Sequence, residues 1–287
     1  MTTSAPAVLE LRAGALRLAL RLDLGAAVAG LWRAGEPVLD SVEPEALVLA
    51  RRSGGFVLAP YSNRLGHRRF RFDGQAHTTA DNTGGGPHSM HGVAFLRPWT
   101  VVAQTADAAD LAYRHEPDAH WPFAFQVRQR LALSPGSLRV DLTLTNTDAR
   151  RAPAGLGWHP YFPKRAGSRL RIDVAGRWER DDVLMLPTHR VPQAGIDSAV
   201  ADLAFDHGFD GWRGVAHIDD ERHALRLSAS EPYLVVFTPP TLPFFAVEPV
   251  SHVNNAIQMA DPAAHGLRSL AQGEAMGLAI LLEIAGA

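Results

Sequence analysis

The chain has 287 residues, 46% of them apolar and 20% charged, with a formal net charge of −2. That length buries a sizeable core, and so small a charge gives no field to hold nucleic acid or an anionic membrane surface. There is no cysteine, so disulfides, thiolate metal sites and thiol nucleophiles are excluded, and any catalyst must be built from His, Asp, Glu, Arg or hydroxyls.

The lack of cysteine fits a reducing compartment. Met1 to Gly14 lacks the pattern of a secretory leader, and the apolar stretch Leu16 to Leu31 is broken by Arg17, Arg21 and Asp23. No span is long enough to cross a bilayer, and a cytoplasmic protein is expected. In chain order, Leu9 to Arg12, Leu16 to Leu24, Phe70 to Phe72, Thr100 to Gln104 and Leu111 to Tyr113 read as strands. A hairpin follows: apolar positions alternate with Gln126, Arg128 and Arg130 from Phe123 to Leu133, Ser134-Pro135-Gly136-Ser137 turns the chain, and Leu138, Val140, Leu142 and Leu144 alternate on the return. Further strands are predicted at Leu170 to Val174, Ala224 to Ser228, Leu234 to Thr238, Phe244 to Glu248 and Leu278 to Ile284.

Pro153 and the segment from Pro187 to Pro192 read as loop markers, and only Ala256 to Met259 and Ala263 to Leu270 suggest short helices. Many strands and few helices predict an all-β protein, a large antiparallel β-sandwich forming one domain over residues 1–287.

Glu248 is the single carboxylate in the apolar run Phe244 to Val250, where an unpaired charge is costly; it is expected at the sheet's rim, facing something it acts on. His159 stands in Gly157-Trp158-His159-Pro160-Tyr161-Phe162, held extended by the following proline as Glu248 is by Pro249. An acid and a histidine so fixed make a proton-transfer pair. Asn63-Arg64, His88 with His91, and Asp206-His207 add a fixed cation and hydroxyl-binding groups, an inventory suited to a polyhydroxylated neutral ligand.

The loop Asp81 to Pro87 lacks the Lys-Ser/Thr of a phosphate cradle and is expected to run closely over a site. The spacing of His88 and His91 suits a metal, but no third ligand is visible, and none is expected. Blander roles exist for each: a backbone-bonded His159, an ion-paired Glu248, a surface Arg64, a turn-capping Asp206. Trp99, Trp121, Trp158 and Trp212 are expected in the core.

Taken together and in order, Asn63-Arg64-Leu65-Gly66 with Phe72-Asp73-Gly74, His91-Gly92 with Trp99, His159-Pro160-Tyr161-Phe162, Asp206-His207-Gly208-Phe209 and Glu248-Pro249 resemble the aldose 1-epimerase (galactose mutarotase) family from about Gly55 to Gln258. The resemblance implies a galactose mutarotase-like supersandwich and the cofactor-free exchange of α and β anomers of a free sugar. It implies Glu248 as general base and His159 as general acid, with Arg64, His91, Asp206 and Asn63 binding substrate. Val93, the Val250-Ser251-His252 continuation and Gly211-Trp212 depart from the commoner pattern and look more like an epimerase-like branch.

Glu248, near its ordinary pKa, is expected to be ionised, and His159 is protonated if a carboxylate or the ligand cavity favours its cation. Two rival expectations are a hexose-phosphate 1-epimerase, with Arg68, Arg69 or Arg165 holding the phosphate, and a non-catalytic carbohydrate-binding protein. The only partner expected is a small monosaccharide, bound by a monomer or homodimer.

Overall fold

The computed structural model describes residues 7–286; the start of the segment read above as lacking a leader's pattern lies outside them. Among these residues two large antiparallel sheets, one of eleven strands and one of nine, face each other across the main core, with three two-stranded sheets at their margins. Helical structure among the described residues is limited to 3-10 turns, and no helix among them is long and apolar enough to cross a membrane. The predicted β-sandwich is the observed architecture.

The alternating hairpin builds the nine-stranded sheet. Phe125–Ser134 and Ser137–Asn146 pair antiparallel around Ser134 opposite Ser137, and Ala275–Gly286 pairs with the second of them. Their odd and even positions divide cleanly: Val127, Leu131, Val140 and Leu142 are buried against the other sheet, while Arg128, Arg130 and Arg139 face outward.

The eleven-stranded sheet is buried on both faces at its centre. Gly55–Leu58, Gly157–Pro163, Phe244–Val250, Tyr233–Phe237 and Asp206–Asp210 are successive neighbours there. One face sends Val57, Trp158, Phe245, Val247, Val236 and Phe209 into the main core. The opposite face sends Phe56, Leu58, Val235 and Val250 into a second, smaller cluster with Ala27, Ala29 and Phe95.

Four expectations change. Pro153, read as a loop marker, lies in the short strand Ala152–Ala154. Pro187–Pro192 is a strand rather than a loop, and its prolines are tolerated because it is the outermost strand of its sheet, where a missing N–H leaves no ladder bond unmade. Ala256–Gln258 and Ala263–His265 are single 3-10 turns, the second ended by Gly266 in the left-handed region, and Arg268–Leu270 then becomes a strand. Glu248 is not at a rim: it lies mid-strand near the sheet's centre and is 2% exposed. The four Trp named above are buried, as expected.

Candidate active site

Register brings Glu248 and His159 together. Gly157 is opposite Val250 and Tyr161 opposite Ala246 on adjacent antiparallel strands, which sets His159 level with Glu248 between them. His159 is in turn opposite Phe56, Glu248 opposite Val235, and Val235 opposite Gly208. The result is one row across five strands, Phe56, His159, Glu248, Val235 and Gly208, all on the face away from the main core.

His159 Nε2 lies 3.2 Å from Glu248 Oε1. Among the described residues neither His159 Nδ1 nor Glu248 Oε2, both buried, has a hydrogen-bond partner. Phe56 stacks on the imidazole at 4.9 Å between centroids and Tyr161 packs against it at 4.3 Å.

Burial sets the protonation of this pair, against the sequence-based expectation. Desolvation lifts Glu248 well above the usual carboxylate range, the Asp206 charge adds to the rise, and Arg64 opposes it. Desolvation also depresses His159 to about 3. Burial thus biases the ligand-free pair toward its uncharged form, a carboxylic acid beside a neutral imidazole, and away from a carboxylate beside a cation. Its proton count is the same either way, so one proton moving across the 3.2 Å gap interconverts the two forms.

The remaining predicted residues come from loops laid over this face. Asn63 and His91 both adopt left-handed backbone, with φ of 58° and 62°. The His91 N–H donates to the Asn63 carbonyl, and the Asn63 N–H donates to His91 Nδ1 at 3.1 Å, so the neutral imidazole carries its proton on Nε2. Burial and the nearby His159, Arg51 and Arg64 keep His91 far below its usual pKa. Its ring meets that of His159 edge-on at 5.3 Å.

Gly92 makes this approach possible. A Cβ there would lie 2.0 Å from the Ala59 carbonyl oxygen, and its φ is +69°. Arg64 Nη2 donates to Asp206 Oδ2 at 3.3 Å, while Asn63 Oδ1 accepts from the Arg64 backbone N–H at 2.9 Å. Asp206 stands on the strand Asp206–Asp210, two residues before Gly208, and does not cap a turn.

His88 is no partner of His91. Its Nδ1 accepts from the His67 N–H at 2.8 Å and its Nε2 lies 2.8 Å from the Leu184 carbonyl. Among the described residues no group of three or more His, Cys, Asp or Glu could hold a metal ion. Arg165 is committed to Asp220 and the Pro37 carbonyl, which withdraws it from any sugar phosphate.

Three groups escaped sequence reasoning. Asn254 is 7% exposed, its carboxamide oxygen is buried without a partner, and it packs over Gly208 of the central row. His252 braces the loop that carries Asn63: its Nε2 accepts from the Ser62 N–H at 3.1 Å, and its ring closes on Gly155 where a side chain would collide. Arg51 perturbs both His91 and His159. The clue to the first two was three polar residues, His252, Asn254 and Asn255, close after an apolar strand.

The model of a family described as aldose 1-epimerase matches residues 7–282. The chain belongs to the aldose 1-epimerase family. It is 30% identical over 277 residues to the uncharacterized protein YphB of Escherichia coli K12, covering 91% of this chain and 93% of that one.

Among solved structures, an Escherichia coli K12 protein provisionally described as an aldose 1-epimerase superposes with a TM-score of 0.88 at 26% identity, over 98% of this chain and 99% of that one. A galactose mutarotase-like protein from Clostridium acetobutylicum gives 0.85 at 19% identity, over 98% and 95%, and so speaks for the fold alone. The family and the mutarotase-like fold implied by the sequence motifs are therefore those of this chain.

Proposed function

We propose that this aldose 1-epimerase family member acts as a single domain over residues 1–287 and interconverts the α and β anomers of an unphosphorylated aldose. The observation that carries the reading is the buried pair itself, Glu248 Oε1 and His159 Nε2 at 3.2 Å, each with its other polar atom unsatisfied. A binding protein gains nothing from burying an acid and an imidazole without partners, since both are destabilising until something is exchanged with them. Tuned, unsatisfied titratable groups side by side suit proton transfer.

Anomerisation needs a proton taken from the anomeric hydroxyl while another is given to the ring oxygen. The bond between the anomeric carbon and the ring oxygen breaks, and the electron pair of the O–H bond becomes the aldehyde carbonyl. Rotation about the bond to the next carbon and closure on the other face reverse both transfers.

Glu248 in its ionised form takes the first proton and His159 in its cationic form gives the second; that form is reached from the resting pair by the internal proton shift, with no proton drawn from solvent. Arg64 stabilises charge developing on oxygen, and the His91 Nε2–H donates to a sugar oxygen. Asp206 accepts from a sugar hydroxyl. Asn63 orients Arg64 and His91 through the bonds described above and thereby shapes the binding face.

Polarimetry over a panel of freshly dissolved aldoses tests this. The wild type is expected to accelerate the decay of optical rotation for at least one sugar, and Glu248→Gln to slow that acceleration by about 10²- to 10⁴-fold, the usual contribution of a general base. Indistinguishable decay with both proteins across the panel rejects the proposal.

A further inference from the structure

Neither the fold nor the Glu248 and His159 pair accounts for Arg51. It lies on the 3-10 turn Ala50–Arg52, half-buried, with its guanidinium 5.1 Å over the Phe95 ring. Its one hydrogen bond among the described residues runs from Nη2 to the Asn82 carbonyl at 2.9 Å. Among the described residues it forms no ion pair; the acid that acts on it, Asp81, already accepts from Thr83 and Gly85. A guanidinium has five N–H donors, and partial burial without a counter-charge is unfavourable.

Its surroundings form a cleft of about 410 Å³. Leu24, Leu49, Phe95 and Leu96 give apolar walls, and Asn82, Thr83 and Gly84 of the glycine-rich loop form the rim. The cleft is lined by neither Glu248 nor His159 and meets their site through the Phe95 ring. Phe95 packs on Phe56 at 5.3 Å and on His91 at 6.4 Å, and Phe56 stacks on His159. Arg51 is close enough that its charge helps depress both histidines.

Among the described residues no other cationic side chain lines the cleft, so it offers one positive charge between apolar walls that strengthen its attraction for an anion. A carboxylate matches a guanidinium in charge and in fork geometry, whereas a phosphate monoester brings nearly two charges at neutral pH.

We infer that Arg51 receives a singly charged oxyanion carried by the sugar, so that, granted the anomerisation proposed above, the preferred substrate is an acidic aldose of the hexuronic acid class. The glycine-rich loop is then the edge of a substrate subsite: Gly84 and Gly85 take φ of 88° and 113° with open space where side chains would stand.

Anomer exchange measured by NMR separates the possibilities, using galacturonate and glucuronate, the matching neutral hexoses and glucose 6-phosphate with the wild type, Arg51→Gln and Arg51→Lys. The wild type is expected to favour a uronate over its neutral counterpart at least tenfold in kcat/KM. Arg51→Gln should shrink that ratio tenfold or more, chiefly through KM, and Arg51→Lys should restore part of it. The ratio should also fall between about 0.02 and 0.5 M salt, as screening demands.

Equal handling of uronate and hexose by the wild type, or a ratio unchanged in Arg51→Gln, overturns the inference; preference for the 6-phosphate overturns its single-charge form. Calorimetric binding of the uronates to wild type and Arg51→Gln keeps the two readings apart. If no aldose is turned over, the anomerisation proposal fails, while uronate binding lost in the variant still upholds the Arg51 subsite and equal binding overturns it.

Discussion

Replacing His159 by Gln should change how stability depends on pH. In the folded protein burial holds the imidazole at about 3, whereas in the unfolded chain it titrates near 6.5. A depressed pKa means the folded state resists a proton that the unfolded state accepts. The stability tied to neutral His159 is thus complete above about pH 6.5 and is lost as pH falls toward 3.

Each unit is worth about 1.4 kcal/mol, so the loss between pH 6.5 and 5 is about 2 kcal/mol, and over the whole window about 5 kcal/mol. The assay is urea unfolding at pH 7 and pH 5. Wild type should lose about 2 kcal/mol more than His159→Gln across that interval, because His91 and His252, also buried, are common to both proteins and cancel. Parallel losses in the two proteins would refute the claim that the imidazole is held neutral by burial.

The same reasoning with the sign reversed applies to Glu248, whose raised pKa makes its stability complete in acid and lost as pH rises through the folded value; Glu248→Gln should flatten that alkaline decline.

Asp206→Asn removes a charge that raises Glu248, so the acid limb of the pH–rate profile should move to lower pH; a limb that stays put denies the coupling. Asn254→Ala removes one neutral hydrogen-bonding group beside the central row and should raise KM by about 2- to 12-fold with kcat nearly kept, read from initial-rate kinetics. Gly92→Ala puts a methyl group on the Ala59 carbonyl and should lower Tm together with activity, since His91 cannot hold its place; unchanged melting and rate would show that the clash is relieved elsewhere.

Strands with one wet face were legible in the sequence. The hairpin has the predicted turn, because alternation is written in residue type when one face meets water. At the sheet's centre Leu234 to Thr238 and Phe244 to Glu248 were legible as strands, but several of their neighbours were not. Gly55–Leu58 is buried at every residue and Ala27–Arg33 at all but its last, so no alternation marks them, and Gly157–Pro163 carries a proline where central strands avoid one.

Gly157–Pro163, one of the concealed strands, pairs with the strand of Glu248, which is why Glu248 was expected at a rim and is found near the middle. Its identity as the group of interest was nevertheless visible, as the lone charge in an apolar run. Its protonation was not, because that depends on what the opposite face and the overlying loops exclude. Arg51 had no signal at all: with Arg52 and Ser53 following, it reads as loop surface, and only the fold brings Phe95 beneath it.

The account depends on Glu248 and His159 working as a unit. A double-mutant cycle on anomer exchange, measured by NMR magnetisation transfer with wild type, Glu248→Gln, His159→Gln and the double variant, addresses this most directly. Each single variant should lose about 10²- to 10⁴-fold, and the double should be no slower than the worse single. Losses that multiply in the double variant, or singles that keep the wild-type rate, would contradict it.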